Sequence, residues 1–419
     1  MTDTTPVGPL VEHLFRREYA RLVAGLVRVL GPGRLEAAEE VVQEALARAL
    51  RTWPHAGVPD DPTAWLMRVA RNRALDRARH EALAEETLGE LGRWNAEEHE
   101  SEGEHDALRL VFACCHPALA FEARVALTLK VACGLATREI ARALLASEEA
   151  IAQRLLRAKA RLAQSDITLE VPDADGAPAR LDAVLEVVYL LFNEGYATDQ
   201  GESPVRRELV HEALRLGELL ARNPATSAPR LEALLALMRF QGARLAARVD
   251  EAGATVPLGR QERARWDRQW LALGWRHFAR AAAGTELTPY HVEAAIAAEH
   301  ARAPSYAETD WRALAEHYET LARLAPSPVV TLNRAVVLAK LHGPLRALAE
   351  LEPLLRAREL AAYAPLHTTL ALLRWHAGDR GGAERALRRA LELPCPASDR
   401  RLLEGRLAAL SQGAPPEDF

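Results

Sequence analysis

The sequence predicts an all-α protein, and three observations carry the prediction. Apolar residues recur at intervals of three and four along most of the 419 residues, sustained strand-like alternation is absent, and Gly and Pro cluster between the periodic stretches. With 49% hydrophobic and 26% charged residues, the chain has a globular composition and the length of two or three ordinary domains.

The first element is a helical hairpin. Phe15, Tyr19, Leu22, Leu26 and Val29 share helical spacing, Gly31-Pro32-Gly33 breaks the run, and Leu35 to Ala49 resumes it with Val41, Ala45 and Ala49 spaced by four. A Pro/Gly/Asp-rich loop from Trp53 to Pro62 leads into a third helix from about Thr63 to His80. Glu81 to Asp106, with scattered acids and glycines, is a poor core builder and reads as a mobile linker.

Three further helices follow: Phe121 to Val131, Thr137 to Leu145 and Ser147 to Gln164, divided by Gly134 and the Ala146-Ser147 turn. Thr137 and Ser147 occupy N-cap positions, and Glu139 and Glu148 place negative charge in first turns. Two short capped helices across a tight turn predict a helix-turn-helix.

An extended stretch, Ile167 to Val171, and the cluster Pro172 to Pro178 mark a boundary, after which Leu181 to Leu410 is again helical. Asn193-Glu194-Gly195-Tyr196 reads as a helix C-terminus with a Gly stop, the other reading being an active-site turn. His291 and His300 stand apart from any carboxylate pattern. In Leu370 to Pro394, Gly378, Ala383, Ala390 and Pro394 carry the spacing of a tetratricopeptide helix pair, and Leu332 to Leu355 is a looser copy with Gly343 in the place of Gly378. The expected domains are 10–80, a linker at 81–106, 107–164, and a helical extension at 180–412.

Charge is unevenly spread. From Leu10 to His80 there are 12 arginines against 9 acids, a net of +3; from Glu81 to Asp106, 1 against 10, a net of −9; from Ala107 to Ala163, 9 basic residues against 4 acids, a net of +5. The rest carries 31 basic residues and 34 acids, a net of −3. Lysine occurs only at 130, 159 and 340, which fits a GC-rich coding bias, so arginine abundance alone says nothing about polyanions. The distribution confines nucleic-acid contact to the first 163 residues.

Other classes are excluded or disfavoured. No apolar run reaches the roughly 18 to 20 residues of a membrane-spanning helix, and Met1 to Pro9 lacks a signal-peptide layout, so a cytoplasmic location is expected. Four cysteines make no disulfide framework. Cys114-Cys115-His116 suggests zinc, but adjacent cysteines cannot easily share one tetrahedral site and no second Cys/His pair stands at finger spacing, which favours a packed start of the second basic segment. Residues 180 to 410 hold no phosphate loop, metal cluster or nucleophile motif, and neither enzymatic activity nor a cofactor is expected.

Two helices have the chemistry to read DNA. On the helix from Thr63 to His80, Arg68, Arg71, Asn72, Leu75 and Arg79 share a face with Trp65 nearby, while Leu66, Val69, Ala70 and Ala74 lie toward another. Arginines neutralise phosphates, an asparagine meets a base edge with donor and acceptor, and an indole stacks on an unpaired base; a solvated arginine-rich face is the plainer alternative. On the second helix, Ile151, Leu155, Ala158 and Leu162 form an apolar stripe beside Ala150, Arg154, Arg157 and Arg161. Glu149 and Gln153 lie near the N-terminal end where base edges are met.

The run Ala38-Glu39-Glu40-Val41-Val42-Gln43-Glu44-Ala45, with Pro62-Thr63-Ala64-Trp65-Leu66-Met67-Arg68-Val69-Ala70-Arg71-Asn72-Arg73-Ala74-Leu75-Asp76, resembles region 2 of sigma-70-type initiation factors of the extracytoplasmic function group. The helix-turn-helix resembles their region 4. The resemblance covers residues 10 to 163, with Glu39-Glu40 where the family usually has Glu-Asp. It implies that Glu40, Gln43, Glu44 and Arg48 dock on core RNA polymerase and that Trp65, Arg68 and Asn72, beside Arg71 and Arg79, recognise and open the minus-ten element. Region 4 then reads the minus-thirty-five element. Val188 to Tyr196, Thr309-Asp310-Trp311 and Ser327 to Ala335 resemble a subgroup with a fused tetratricopeptide-like extension, for which contact with the sigma regions or polymerase is expected. The competing reading is a helical-repeat scaffold whose helix-turn-helix anchors another assembly to DNA.

Overall fold

The computed structural model describes residues 7–80, 85–93, 99–116, 118–144, 146–164, 170–171, 177–196, 207–355 and 363–414. Among these residues the protein is all-α, as the periodicity predicts, with one isolated bridge between Val249 and Thr255. It divides into two compact units, Met1–Leu191 with Arg222–Thr226, and Phe192–Ala221 with Ser227–Phe419.

The first unit is built on α1 (Val7–Leu30), α2 (Leu35–Ala56) and α3 (Pro62–His80), followed by α4 (Glu85–Arg93) and α5 (His99–Cys114). Its helix-turn-helix half holds α6 (Phe121–Val131), α7 (Thr137–Ala143) and α8 (Glu148–Gln164), and α9 (Ala177–Tyr196) follows. Tyr19, Leu22 and Leu26 of α1 are buried where α1 packs against α2, α3 and α5. Gly31 takes a positive φ of 87°, and a 3-10 turn at Pro32–Arg34 completes the break between α1 and α2.

Three local readings change and one holds. The helix α2 continues through Trp53 and Pro54 to Ala56, with the Gly57 N–H donating to the Trp53 carbonyl at its end; the loop before α3 therefore shrinks to residues 57–61. Thr137 is the first helical residue rather than the cap: the Ala136 N–H donates to Glu139 Oε2 at 2.7 Å, so the glutamate closes this N-terminus. Ser147 is a cap as predicted, its Oγ accepting from the Ala150 N–H at 3.1 Å. Gly195 does not stop α9, which runs on to Tyr196.

The stretch read as a mobile linker holds α4 and the first half of α5. Leu91 is fully buried, and Asp106 is buried between Arg28 at 3.0 Å and Arg109 at 3.1 Å, so its acids include one pinned counterion that composition alone does not reveal. The extended stretch expected at Ile167–Val171 and the cluster at Pro172–Pro178 fall largely outside the described residues.

The second unit contains α10 (Arg207–Arg222), α11 (Pro229–Gly242), α12 (Arg268–Ala281), α13 (Pro289–Arg302), α14 (Trp311–Leu324), α15 (Pro328–His342), α16 (Pro344–Leu355), α17 (Ala364–His376), α18 (Arg380–Glu392) and α19 (Ala397–Ser411). From Leu231 to Met238, α11 is buried all round, which marks it as a central helix. Gly242 lies against the Trp270 ring and Gly274 against Phe240, so α11 and α12 approach more closely than a Cβ allows at either place. The Asp310 and Ser327 side chains cap α14 and α15, accepting from Ala313 N at 3.0 Å and Val330 N at 3.1 Å. The predicted pairs are α15 with α16 and α17 with α18, turning at Gly343 and Gly378 with φ of 84° and 86°. Ala335, Ala339, Ala347, Ala371, Ala383 and Ala390 are buried in one cluster with Leu351, Leu370 and Leu387.

Candidate nucleic-acid interface

The local start of α3 is set by Asp61 and Pro62. Asp61 Oδ1 accepts from the Ala64 N–H at 2.9 Å, and Pro62 supplies a pre-set φ where no donor is needed. Leu66, Val69, Ala70, Ala74 and Ala78 then bury one side of the helix. On the other side Arg68, Asn72 and Arg79 are exposed, with Arg71 and Trp65 half-buried beside them. The structure thus brings all five predicted residues to one outward side. The Trp65 ring sits edge-on to Trp53, centroids 5.4 Å apart and planes at 65°, and the buried Trp53 fixes its position at the mouth of the 57–61 loop.

Along α2, Glu40, Gln43, Glu44 and Arg48 form an exposed stripe. Glu40 pairs with Arg77, and Glu44 pairs with Arg73 at 2.8 Å, tying α2 to α3. Such exposed pairs contribute about 0 to 1 kcal/mol each, so they are exchangeable for contacts with another surface.

Between these two predicted stripes lies a residue the sequence reading passed over. Glu39 is only 3% exposed; it accepts from the Tyr19 hydroxyl at 3.0 Å and meets Lys159 Nζ of α8 at 2.5 Å. Burial, then the Glu39 charge, push the Tyr19 hydroxyl far above its ordinary pKa, so it remains a donor to the carboxylate. A signal was present, because 39, 42, 46, 49 and 53 continue the apolar spacing of α2 and place this carboxylate on its inward face.

In the helix-turn-helix, Ile151, Leu155, Ala158 and Leu162 are buried as the stripe predicts. Glu149, Gln153, Arg157 and Arg161 are exposed and Arg154 is half-buried, so the five predicted residues share the outward side of α8. The Arg157 Nε donates to the Gln153 carbonyl at 3.3 Å, holding its side chain back along the helix. Leu156, 64% exposed among them, also escaped the sequence reading and adds an apolar side chain to this outward side.

Cys114 and Cys115 are buried side by side, with Cys115 Sγ 3.4 Å from Thr128 Oγ1. Burial raises both thiols, Cys115 to about 11, so they stay protonated and inert. Alkylation of the native protein is expected to mark the half-exposed Cys395 and spare Cys114 and Cys115, as read by mass spectrometry; rapid labelling of Cys114 in the folded chain contradicts this packing.

Three stretches of the chain match known families. Residues 14–83 match sigma-70 region 2, residues 109–162 match sigma-70 region 4, and residues 180–282 match a family of unknown function, DUF6596. An uncharacterized protein of Rhizobium meliloti (strain 1021) is 43% identical over 373 residues, covering 85% of this chain and 84% of that protein. No solved structure matches. With both promoter-reading regions present in order, the chain belongs to the sigma-70 initiation factors, as an extracytoplasmic-function-type member with an added C-terminal DUF6596 segment.

Proposed function

We propose that this sigma factor binds core RNA polymerase through the α2 stripe, reads and opens the minus-ten element with α3, and reads the minus-thirty-five element with α8. The domains in this reading are 10–80, 81–106, 107–164 and a tetratricopeptide-like extension at 180–412, acting in the cytoplasm. The observation that carries it is the pair of outward faces: Trp65, Arg68, Asn72 and Arg79 on a capped α3, and Gln153, Arg157 and Arg161 on α8.

Chemistry divides the labour. Trp65, held by Trp53, offers a ring to a base lifted from the stack, and Asn72 offers donor and acceptor to its edge. Arg68, Arg71 and Arg79 hold phosphates, each neutralised phosphate steepening the salt dependence by about 0.9 in log–log slope. On α8, Gln153 and Glu149 meet base edges, Leu156 meets a thymine methyl, and Arg154, Arg157 and Arg161 hold the backbone. A handful of base contacts at about 1 to 3 kcal/mol each cannot select a promoter alone, so polymerase sets the spacing of the two regions and makes the second contact effectively intramolecular. In the chain by itself, Lys159 of region 4 pairs with Glu39 of region 2, one residue from the polymerase-docking stripe.

The extension modulates the factor, and the start of its first helix, α9, belongs to the first unit together with region 4. Support comes from Arg180, whose Nη2 donates to the Phe112 carbonyl at 2.6 Å while its guanidinium lies 5.8 Å over the Phe112 ring. The buried alanine faces of the α15–α16 and α17–α18 pairs support the tetratricopeptide-like reading.

Co-purification separates this account from a DNA-anchored scaffold. The chain is expected to retain core polymerase, and the Glu40→Lys/Glu44→Lys variant to retain at least about tenfold less, the effect of about 1.4 kcal/mol from reversed charge at a docking surface. Failure of the parent chain to retain polymerase favours the scaffold.

A further inference from the structure

The second unit gathers positive charge and aromatic rings from five segments that lie far apart in sequence. Arg244 donates to the hydroxyl of Tyr196, the last residue of the Asn193–Tyr196 run, and Arg248 lies 3.9 Å over the same ring. Arg263 stacks 4.0 Å over Trp266, with Arg244 5.7 Å from that ring on the same cluster. His300 and Trp311 close a further wall, 6.0 Å apart.

What distinguishes this cluster from an ordinary cation–aromatic network is its unmet hydrogen bonding. Arg263 Nη1 and Nη2, Arg244 Nε, Trp266 Nε1 and His300 Nδ1 are all buried and have no hydrogen-bond partner. Stacking on Trp266 satisfies the face of the Arg263 guanidinium, but its N–H groups lie in the plane and stay unsatisfied. Among the described residues no carboxylate stands within ion-pair distance of Arg244, Arg248 or Arg263. Leaving such donors buried and unmade is costly, more so when they are charged, and a partner that meets them is correspondingly favoured.

Electrostatics agree. Burial, then Arg244, lower Arg263 to about 10; burial, then Arg244 and Arg263, lower His300 to about 3, which keeps its ring neutral. Burial raises Tyr196, yet Arg244 and Arg248 outweigh it and the net shift is downward. The region is therefore strongly positive. Arg244, Arg248 and Arg263 remain partly open to solvent as residues.

We propose that Arg244, Arg248 and Arg263, walled by Tyr196 and Trp266, form a binding site for a small phosphate-bearing ligand. Guanidinium forks match phosphoryl oxygens in pairs, three cations call for a dianion rather than a single carboxylate, and the rings favour a compact group over a bulky hydrated one. The site uses Tyr196 and lies outside both promoter-reading regions, so it stands apart from the promoter reading.

The test titrates inorganic phosphate against the full chain at constant ionic strength, with acetate as comparison, by calorimetry and thermal melting. Saturable one-site phosphate binding with a raised melting temperature is expected, at least tenfold weaker for Arg263→Gln. In phosphate-free buffer Arg263→Gln is expected to melt no lower than the parent, because it removes one of three crowded cations. Absence of phosphate binding, equal binding by Arg263→Gln, acetate binding as tight as phosphate, or an Arg263→Gln chain that melts lower while keeping its phosphate response overturns the proposal.

Discussion

Asn72→Ala is expected to cut open-complex formation by about 10- to 100-fold while leaving retention of core polymerase within about twofold. The range is that of a base contact worth about 1 to 3 kcal/mol, and it falls on opening because a flipped base costs a few kcal/mol that capture must recover. The side chain is exposed on the outward side of α3, two turns from Trp65, and makes no part of the Leu66–Val69–Ala74 packing face, so alanine leaves the fold intact. Trp65→Ala is expected to act in the same direction, since it removes the ring that Trp53 holds at the mouth of the 57–61 loop. Permanganate reactivity of promoter thymines reads opening, and co-purification reads docking; equal loss in both contradicts the role given to Asn72.

Lys159→Met is the second large effect. It strips the cation from a carboxylate that is 3% exposed and leaves the Tyr19 hydroxyl as its hydrogen-bond partner. Breaking a buried pair from one side costs about 3 to 5 kcal/mol, and because the Lys159 side chain is one-fifth exposed the loss is expected to fall below that range, at about 2 to 3 kcal/mol. The double change Lys159→Met/Glu39→Leu removes the stranded charge as well and is expected to recover most of that loss. Thermal and denaturant unfolding of the three variants measure it, and a double variant less stable than the single one contradicts the buried pair.

Local signals in the sequence reached far. Periodicity places α2, α3 and α8, Ser147 caps α8 as expected, and both sets of DNA-facing residues fall on outward sides because helix period alone sorts Arg68, Asn72 and Gln153 from Leu66, Val69 and Leu155. What escaped was non-local. Glu39 and Lys159 are 120 residues apart, and nothing in either helix by itself names the other as partner. Asp106 looks like one acid among ten in a solvated stretch until Arg28 meets it. The arginine cluster draws on Tyr196, Arg244, Arg263 and His300, and a net charge summed over residues 164–419 averages it away. Pro54 and Gly195 misled for a different reason: both residues are tolerated near the end of a helix whose remaining turns are packed.

Reconstituted transcription tests the central claim most directly. Core RNA polymerase mixed with the purified chain, on a pool of random promoter fragments, is expected to give run-off products that share two sequence elements at a fixed spacing, whereas the chain without polymerase binds the same duplexes weakly and with steep salt dependence. No initiation from any fragment, with the full chain and with a chain ending after Ser165, contradicts it.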